Sequence, residues 1–107
     1  MIARLVALAL AALLLWMPAA SAEWAKNQRE DFMGDCTDSC RENPKVHPTR
    51  RAECGAYCAC VMSEGEKFVT SADYDTLEAL SKAEKTSPLL KRFQTLYPIC
   101  QRRVFGN

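Results

Sequence analysis

The sequence predicts an all-α domain that consists of a disulfide-stapled helical hairpin and two or three further short helices. Six cysteines lie in a chain of only 107 residues. Apolar residues recur at helical spacing, and prolines and glycines separate the helical stretches. Because no internal repeat or second domain is visible, residues 23–107 are predicted to form a single domain.

The first helix is predicted over residues 23–43. Phe32, Cys36 and Cys40 are spaced four residues apart, so they share one face of this helix. Pro44 ends the helix, because the residue before a proline avoids the α region. A turn follows.

The second helix is predicted over residues 50–64, with Thr49 as its N-cap. Apolar residues recur every three or four positions across residues 54–62 and form one stripe. Gly65 is the expected stop.

Two more helical segments are predicted in the second half of the chain. One begins at Thr70, has Asp73 in its first turn and ends near Lys85. The other begins at Ser87, an N-cap residue followed by a proline. Pro98 must kink this last segment or split it in two.

Residues 1–22 are predicted to be a secretory signal peptide that is cleaved after Ala22. Arg4 precedes an apolar run over residues 5–17, and small residues follow, which is typical of an export signal. The run is shorter than the roughly 20 apolar residues of a membrane span. We therefore expect a periplasmic or secreted mature protein, of bacterial type, with no membrane span.

All six cysteines follow the predicted cleavage site. In an oxidising compartment such thiols persist as disulfides, and a domain this small commonly needs them for stability. Cys58 and Cys60 are displaced by about 200° around a helix, so they need different partners, and Cys100 lies on the apolar face of the last segment. Two antiparallel helices that each carry Cys-x-x-x-Cys can be joined twice. The predicted pairs are Cys36–Cys58, Cys40–Cys54 and Cys60–Cys100.

The twin Cys-x-x-x-Cys pairs over residues 36–58 resemble the disulfide-zipped hairpin of the small Tim chaperones and of the plant α-hairpinins. This resemblance rests on cysteine spacing and covers the hairpin alone. Residues 56–61, which read Ala-Tyr-Cys-Ala-Cys-Val, are similar to small exported bacterial proteins with a Tyr-Cys-x-Cys element. The resemblances imply a helical fold and an exported location, and they imply no activity.

Charge and composition exclude several classes of function. Without Arg4, the remaining 13 Lys and Arg equal the 13 Asp and Glu in number, so the basic excess of a nucleic-acid binder is missing. The only histidine, His47, lies in a proline-flanked turn where few groups could orient it as a catalytic base. We predict that the chain is not an enzyme and uses no cofactor.

Two sets of cysteines leave metal or redox chemistry as an alternative. Cys58 and Cys60 define the alternative function, a thiol-redox protein or, together with Met62, a Cu(I)-handling protein. These residues lie in the middle of a helix and fan apart, which is unfavourable for both activities.

A zinc site is the other possibility that the cysteines raise. Cys40, His47 and Cys54 are symmetric about the turn and, with Cys36 or Cys58, could bind zinc. Structural disulfides explain the same cysteines more simply, so no metal is predicted.

We therefore expect a non-enzymatic binding protein whose partner is another envelope or extracellular protein. The candidate binding residues are His47 in the hairpin turn and the basic pair Arg102 and Arg103. Charge reversal of this pair should weaken partner capture and leave the helical circular dichroism unchanged. The sequence leaves the oligomeric state open.

Overall fold

A computed structural model describes residues 23–106, and in this range the chain is all-α, as predicted. The α-helices are α1 (Lys26–Glu42), α2 (Cys54–Gly65), α3 (Ser71–Lys82), α4 (Pro88–Gln94) and α5 (Leu96–Phe105), and a 3₁₀ helix spans Pro48–Glu53. None of these helices is both long and apolar enough to cross a membrane. The predicted signal peptide, residues 1–22, lies outside the described residues.

Two disulfides join α1 to α2 and confirm the predicted hairpin. Cys36 bonds to Cys58 and Cys40 to Cys54, with Cα atoms 5.9 and 5.7 Å apart. The Cys54 and Cys58 side chains are fully buried. Because each pair is one helical turn from the other, the two bonds fix both the spacing and the register of the helices.

A third disulfide, Cys60–Cys100, attaches α5 to the other side of α2, with its Cα atoms 5.8 Å apart. This is the pairing that the sequence predicts for these two cysteines. The helix α2 therefore packs closely on both α1 and α5 and forms the centre of the domain.

The hairpin turn differs from the prediction. His47, not Thr49, caps the following helix: the Thr49 backbone N–H donates to His47 Nδ1 at 3.2 Å. The first turns after the cap are 3₁₀ rather than α, so α2 begins at Cys54 instead of residue 50. Pro48 fits the first helical position because a proline there loses no intrahelical hydrogen bond.

The ends of the later helices are set by local backbone chemistry. Thr70 caps α3 as predicted, with its Oγ1 accepting from the Asp73 N–H at 3.1 Å. The helix ends at Lys82 rather than near Lys85, and Glu84 takes a left-handed conformation with φ 56°. The last segment is split rather than kinked: α4 ends at Gln94, and Pro98 lies in the first turn of α5, where it is tolerated.

The core lies where α2, α4 and α5 meet the start of α1. Trp24, just before α1, is buried with Val61, Val69 and Phe93. Gly65 ends α2 with α-region backbone beyond it, so it is not a left-handed stop. Glycine is needed here because it leaves room for the Phe93 ring: a Cβ at this position would lie 2.5 Å from Phe93 Cε2.

Candidate binding groove

A groove with a volume of about 600 Å³ opens between α1 and α3, and we call it the α1–α3 groove. Side chains of α2, α4 and α5 contribute to its lining. Ligand pockets in proteins commonly measure about 300–1,000 Å³. The volume of the groove is therefore adequate for a ligand or for several side chains of a partner.

The α1 wall of the groove follows one face of the helix along most of its length. It is formed by Phe32, Asp35, Cys36, Ser39 and Asn43, together with the Cys40 sulfur that completes the inner disulfide. These positions recur every three or four residues and therefore lie in one row. At a rise of 1.5 Å per residue the row is about 16 Å long, or three helical turns.

The α3 wall faces this row with Tyr74, Leu77, Glu78 and Ser81. The backbone of α3 is not among the closely packed pairs of elements. The buried side chains of Tyr74 and Leu77 make its contact with the core. Since the α3 backbone stays at a distance from α1, the space between the two helices remains open.

Gln28 fixes the beginning of α3 against α1. Its Nε2 donates to the Ser71 carbonyl at 2.9 Å and to Asp75 Oδ1 at 3.1 Å. The Ser71 hydroxyl donates to Gln28 Oε1 at 2.6 Å. Gln28 is almost completely buried, with 6% of its surface exposed, so these bonds form away from competing water.

Aromatic rings form much of the groove surface. The Trp24 ring lies 5.5 Å from Phe32, 4.7 Å from Tyr74 and 6.3 Å from Phe93, measured between ring centroids. Tilted and edge-to-face arrangements at these distances are favourable. Tyr97 extends the cluster with an edge-to-face contact to Phe93 at 5.9 Å.

Trp24 is held in place by its own polar atoms. Its indole N–H donates to the Val69 carbonyl at 2.9 Å, and its backbone N–H donates to Glu66 Oε2 at 3.1 Å. The other Glu66 oxygen accepts from Arg29 Nε at 3.1 Å. The buried Glu66 carboxylate is thus paired, which offsets its loss of hydration.

The charged residues that line the groove are both acidic. Asp35 is on the α1 wall and Glu78 is on the α3 wall. Glu78 pairs with Lys82 Nζ at 3.1 Å, whereas Asp35 has no ion pair among residues 23–106. The field of these carboxylates reaches the groove interior: burial first, and then Glu78, Asp31, Asp35 and Asp75, raise the pKa of Tyr74 to about 12.

Two further tyrosines present hydroxyl groups to the groove. Burial raises the pKa of Tyr97. Burial, and then the nearby Tyr97, raise the pKa of Tyr57. Neither hydroxyl is hydrogen-bonded to a described residue, and the described residues include no fully buried side-chain oxygen without a partner. Both side chains line the groove, and Tyr97 is 38% exposed.

A second cavity, of about 430 Å³, lies beside the hairpin turn. It is lined by His47 and by the basic residues Lys45 and Arg50, with Phe105 on the α5 side. Arg50 is already engaged: it pairs with Glu53, and its guanidinium lies 5.5 Å from the centroid of the Phe105 ring. The charged residues that line this cavity are basic, whereas those that line the α1–α3 groove are acidic.

The structure separates the three candidate binding residues that the sequence indicates. His47 lines the second cavity, where its Nδ1 is 2.7 Å from the Thr49 hydroxyl. Arg103 lies on α5 and contacts Glu64 Oε1 and Cys60 Sγ, both at 3.4 Å from its Nη1. Arg102 is exposed, and neither arginine lines a cavity described here. The three residues therefore do not line a common cavity.

The thiol-redox, copper and zinc alternatives each need a free cysteine, and none is present in the described part of the chain. All six cysteines are in disulfides there, and residues 23–106 contain no cluster of three His, Cys, Asp or Glu side chains able to hold a metal. The copper set is split, because Cys58 and Cys60 belong to different bridges. The zinc set lacks ligands, because Cys40 and Cys54 are bonded to each other.

Most of the groove is not evident from the amino-acid sequence. Trp24 received no role, although a tryptophan just before an amphipathic helix is a recognisable candidate for a core anchor. Asp35 is one of several acidic residues near the hairpin, and nothing in its sequence context distinguishes it. Local periodicity gives no signal for the distance between α1 and α3, which is what creates the groove.

Comparisons with protein-family models, with curated proteins and with solved structures find no match for this chain. The resemblances to the small Tim chaperones, to the α-hairpinins and to exported Tyr-Cys-x-Cys proteins therefore remain at the level of cysteine spacing.

Proposed function

We propose that this chain is an exported, non-enzymatic binding protein whose α1–α3 groove holds an apolar segment of another envelope or extracellular protein. The observation that carries the proposal is the groove itself. Phe32, Tyr57 and Tyr97 line it and are at least partly exposed, in a domain that has little apolar surface to spare. Concave sites lined mainly by apolar and aromatic side chains with a few polar groups commonly bind ligands.

The disulfides support both the location and the mode of binding. Three intramolecular bridges are consistent with an oxidising, extracytoplasmic compartment. They join α1 to α2 and α2 to α5, so the α1 wall of the groove belongs to a covalently fixed frame, and the Gln28 hydrogen bonds hold the start of α3 against it. A preformed groove loses little conformational entropy when a partner binds.

The lining favours binding over catalysis. Among the described residues it includes aromatic rings, aliphatic side chains and two serine hydroxyls, with no histidine. Its sulfur atoms are in disulfides. Most hydrolytic mechanisms require a nucleophile hydrogen-bonded to a base, and among the described residues neither lining serine bonds to the Asp35 or Glu78 carboxylate.

A selection experiment tests the proposal without knowledge of the partner. Random peptides of about 15 residues, long enough to follow the three turns of the α1 wall, would be displayed and selected on the oxidised protein. We expect enriched peptides whose binding is lost in Ser39→Phe, because the new ring fills the groove from an exposed position. Ser63→Phe, on the exposed side of α2 and outside both cavities, is the matched control and should bind normally.

The proposal fails if no peptide is enriched, or if the enriched peptides bind Ser39→Phe as well as they bind the unmodified protein. Circular dichroism of both variants would establish that each one is folded.

The alternative, a thiol-redox or Cu(I)-handling protein, is favoured by one contact. The Arg103 guanidinium lies 3.4 Å from Cys60 Sγ, and Cys60 is partly exposed. A nearby cation stabilises a thiolate, so reduction of the Cys60–Cys100 bridge would produce an activated thiol. A free-thiol assay on the exported protein, followed by a Cu(I) titration, tests this alternative: free or partly oxidised Cys58 and Cys60 would support it.

A further inference from the structure

The charge at the edges of the α1–α3 groove indicates the chemistry of the partner. We propose that the groove binds an amphipathic helix that carries lysine or arginine on both flanks of its apolar stripe. This inference rests on the proposed function, because it specifies the segment that the groove would hold.

The shape of the groove favours a helix as the occupant. Its α1 wall runs straight for about three helical turns, from Phe32 to Asn43, and α3 forms a second wall along it. An amphipathic helix places its apolar residues in such a groove at positions i, i+3, i+4 and i+7. The exposed parts of Phe32, Tyr57 and Tyr97 would then contact that stripe.

The two carboxylates favour basic flanks. Asp35 and Glu78 are on opposite walls, so a helix between them meets one acidic side chain on each side. Asp31 and Asp75 add to the field, since both act on the pKa of Tyr74 inside the groove. Lysine or arginine beside the apolar stripe would therefore be attracted to both edges, whereas glutamate would be repelled.

The protein already places one ammonium group at this edge. Lys82 Nζ lies 3.1 Å from Glu78 Oε1. The bond to Glu78 is the main cause of its raised pKa, and the fields of Asp35 and Asp31 add to it. Lys82 is highly exposed, with 75% of its side-chain surface accessible, so a partner's basic side chain can replace it. Removal of Lys82 should accordingly strengthen the binding of a basic helix.

Two labelled peptides of about 15 residues test the inference by fluorescence anisotropy. They share one leucine and phenylalanine stripe at helical spacing and differ only at the flanking positions, which are lysine in one and glutamate in the other. We expect the lysine peptide to bind about tenfold more tightly than the glutamate peptide. The preference should shrink at high salt, since edge charges are screened.

The variant Asp35→Lys should weaken the lysine peptide by about fivefold and strengthen the glutamate peptide. Asp38→Lys makes the same charge change on the same helix, at an exposed position outside the groove lining, and should change either affinity by less than about twofold. Lys82→Gln should tighten the lysine peptide. Neither of the aspartates makes an ion pair among residues 23–106, so both variants should fold.

The outcomes separate this inference from the proposed function. If both peptides bind equally and Ser39→Phe abolishes both, the groove is a binding site and the basic flanks are refuted. If neither peptide binds, or if Ser39→Phe has no effect, both proposals fail. Two other outcomes would also overturn the inference. If the groove binds dodecyltrimethylammonium more strongly than the lysine peptide, it holds a small amphiphile. If the protein dimerises and Ser39→Phe abolishes the dimer, the groove holds a second copy of the chain.

Discussion

The Trp24 indole N–H donates to the Val69 carbonyl at 2.9 Å and thereby joins two residues that are 45 positions apart in the chain. The bond connects the segment before α1 to the segment before α3. Those two helices are the walls of the groove, so this contact sets one end of the groove as well as anchoring the start of the domain.

Replacement of Trp24 by alanine should destabilise the fold by about 3–5 kcal/mol. The change removes the ring that contacts Phe32, Tyr74 and Phe93 and leaves the Val69 carbonyl without its donor. Urea unfolding followed by far-UV circular dichroism measures the loss. Trp24→Phe should cost less, and Glu23→Ala, at the exposed neighbouring position, should be nearly neutral; a loss below about 1 kcal/mol for the alanine variant would contradict this role for Trp24.

The two glycines of α2 should respond in opposite directions to alanine. In Gly65→Ala the new Cβ would meet the Phe93 ring at 2.5 Å, so the ring must move and the fold should lose about 1–3 kcal/mol. In Gly55→Ala the Cβ meets no atom within 4 Å, and better helix propensity should add about 0.5–1 kcal/mol. Thermal unfolding of both variants compares them, and a stabilised Gly65→Ala would show that Phe93 is not closely packed there.

The stability should fall at alkaline pH because of Tyr74. Its folded pKa is raised to about 12 by burial and by neighbouring carboxylates, while an unfolded tyrosine titrates near pH 10. The folded state therefore binds more protons than the unfolded state above pH 10, and stability decreases as the pH rises toward 12. Stability measured across this range should decline less steeply in Tyr74→Phe, and equal slopes for the two proteins would exclude this cause.

Loss of the Cys60–Cys100 bridge should cost about 4 kcal/mol in the chain-entropy treatment of a 40-residue loop. The double variant Cys60→Ala with Cys100→Ala should keep the hairpin, because α1 and α2 retain their two bridges. Denaturant unfolding gives the cost, and non-reducing peptide mapping verifies the Cys36–Cys58 and Cys40–Cys54 bonds. Unfolding at an unchanged denaturant concentration would indicate that packing alone holds α5 on α2.

The hairpin was predictable because its determinants are local. Two Cys-x-x-x-Cys pairs on antiparallel helices can be joined in only a few ways. The helical spacing favours the outer pair Cys36–Cys58 and the inner pair Cys40–Cys54. The cap at Thr70 and the break before Pro98 follow from residue chemistry in the same manner. The His47 cap was harder to predict, because histidine is an uncommon N-cap and its ring must turn back toward Thr49.

The groove could not be predicted from periodicity. Tyr74 and Leu77 are three residues apart and share one face of α3, but this spacing does not say how closely that face approaches α1. This distance depends on Gln28, a polar residue whose bonds to Ser71 and Asp75 cross the fold. The edge carboxylates had no distinguishing signal either, since Asp35 and Asp38 look alike in the sequence and only the structure separates them.

The most direct test of the account is a two-dimensional ¹⁵N–¹H NMR titration of the oxidised protein with the lysine-flanked peptide. We predict chemical-shift changes at the Trp24 indole N–H and at the amides of Ser39, Leu77 and Ser81. The amides of His47 and Arg102, at the two surfaces that the sequence alone indicates, should not change. Shifts confined to His47 or Arg102, with an unchanged Trp24 indole signal, would contradict the assignment of the α1–α3 groove as the binding site.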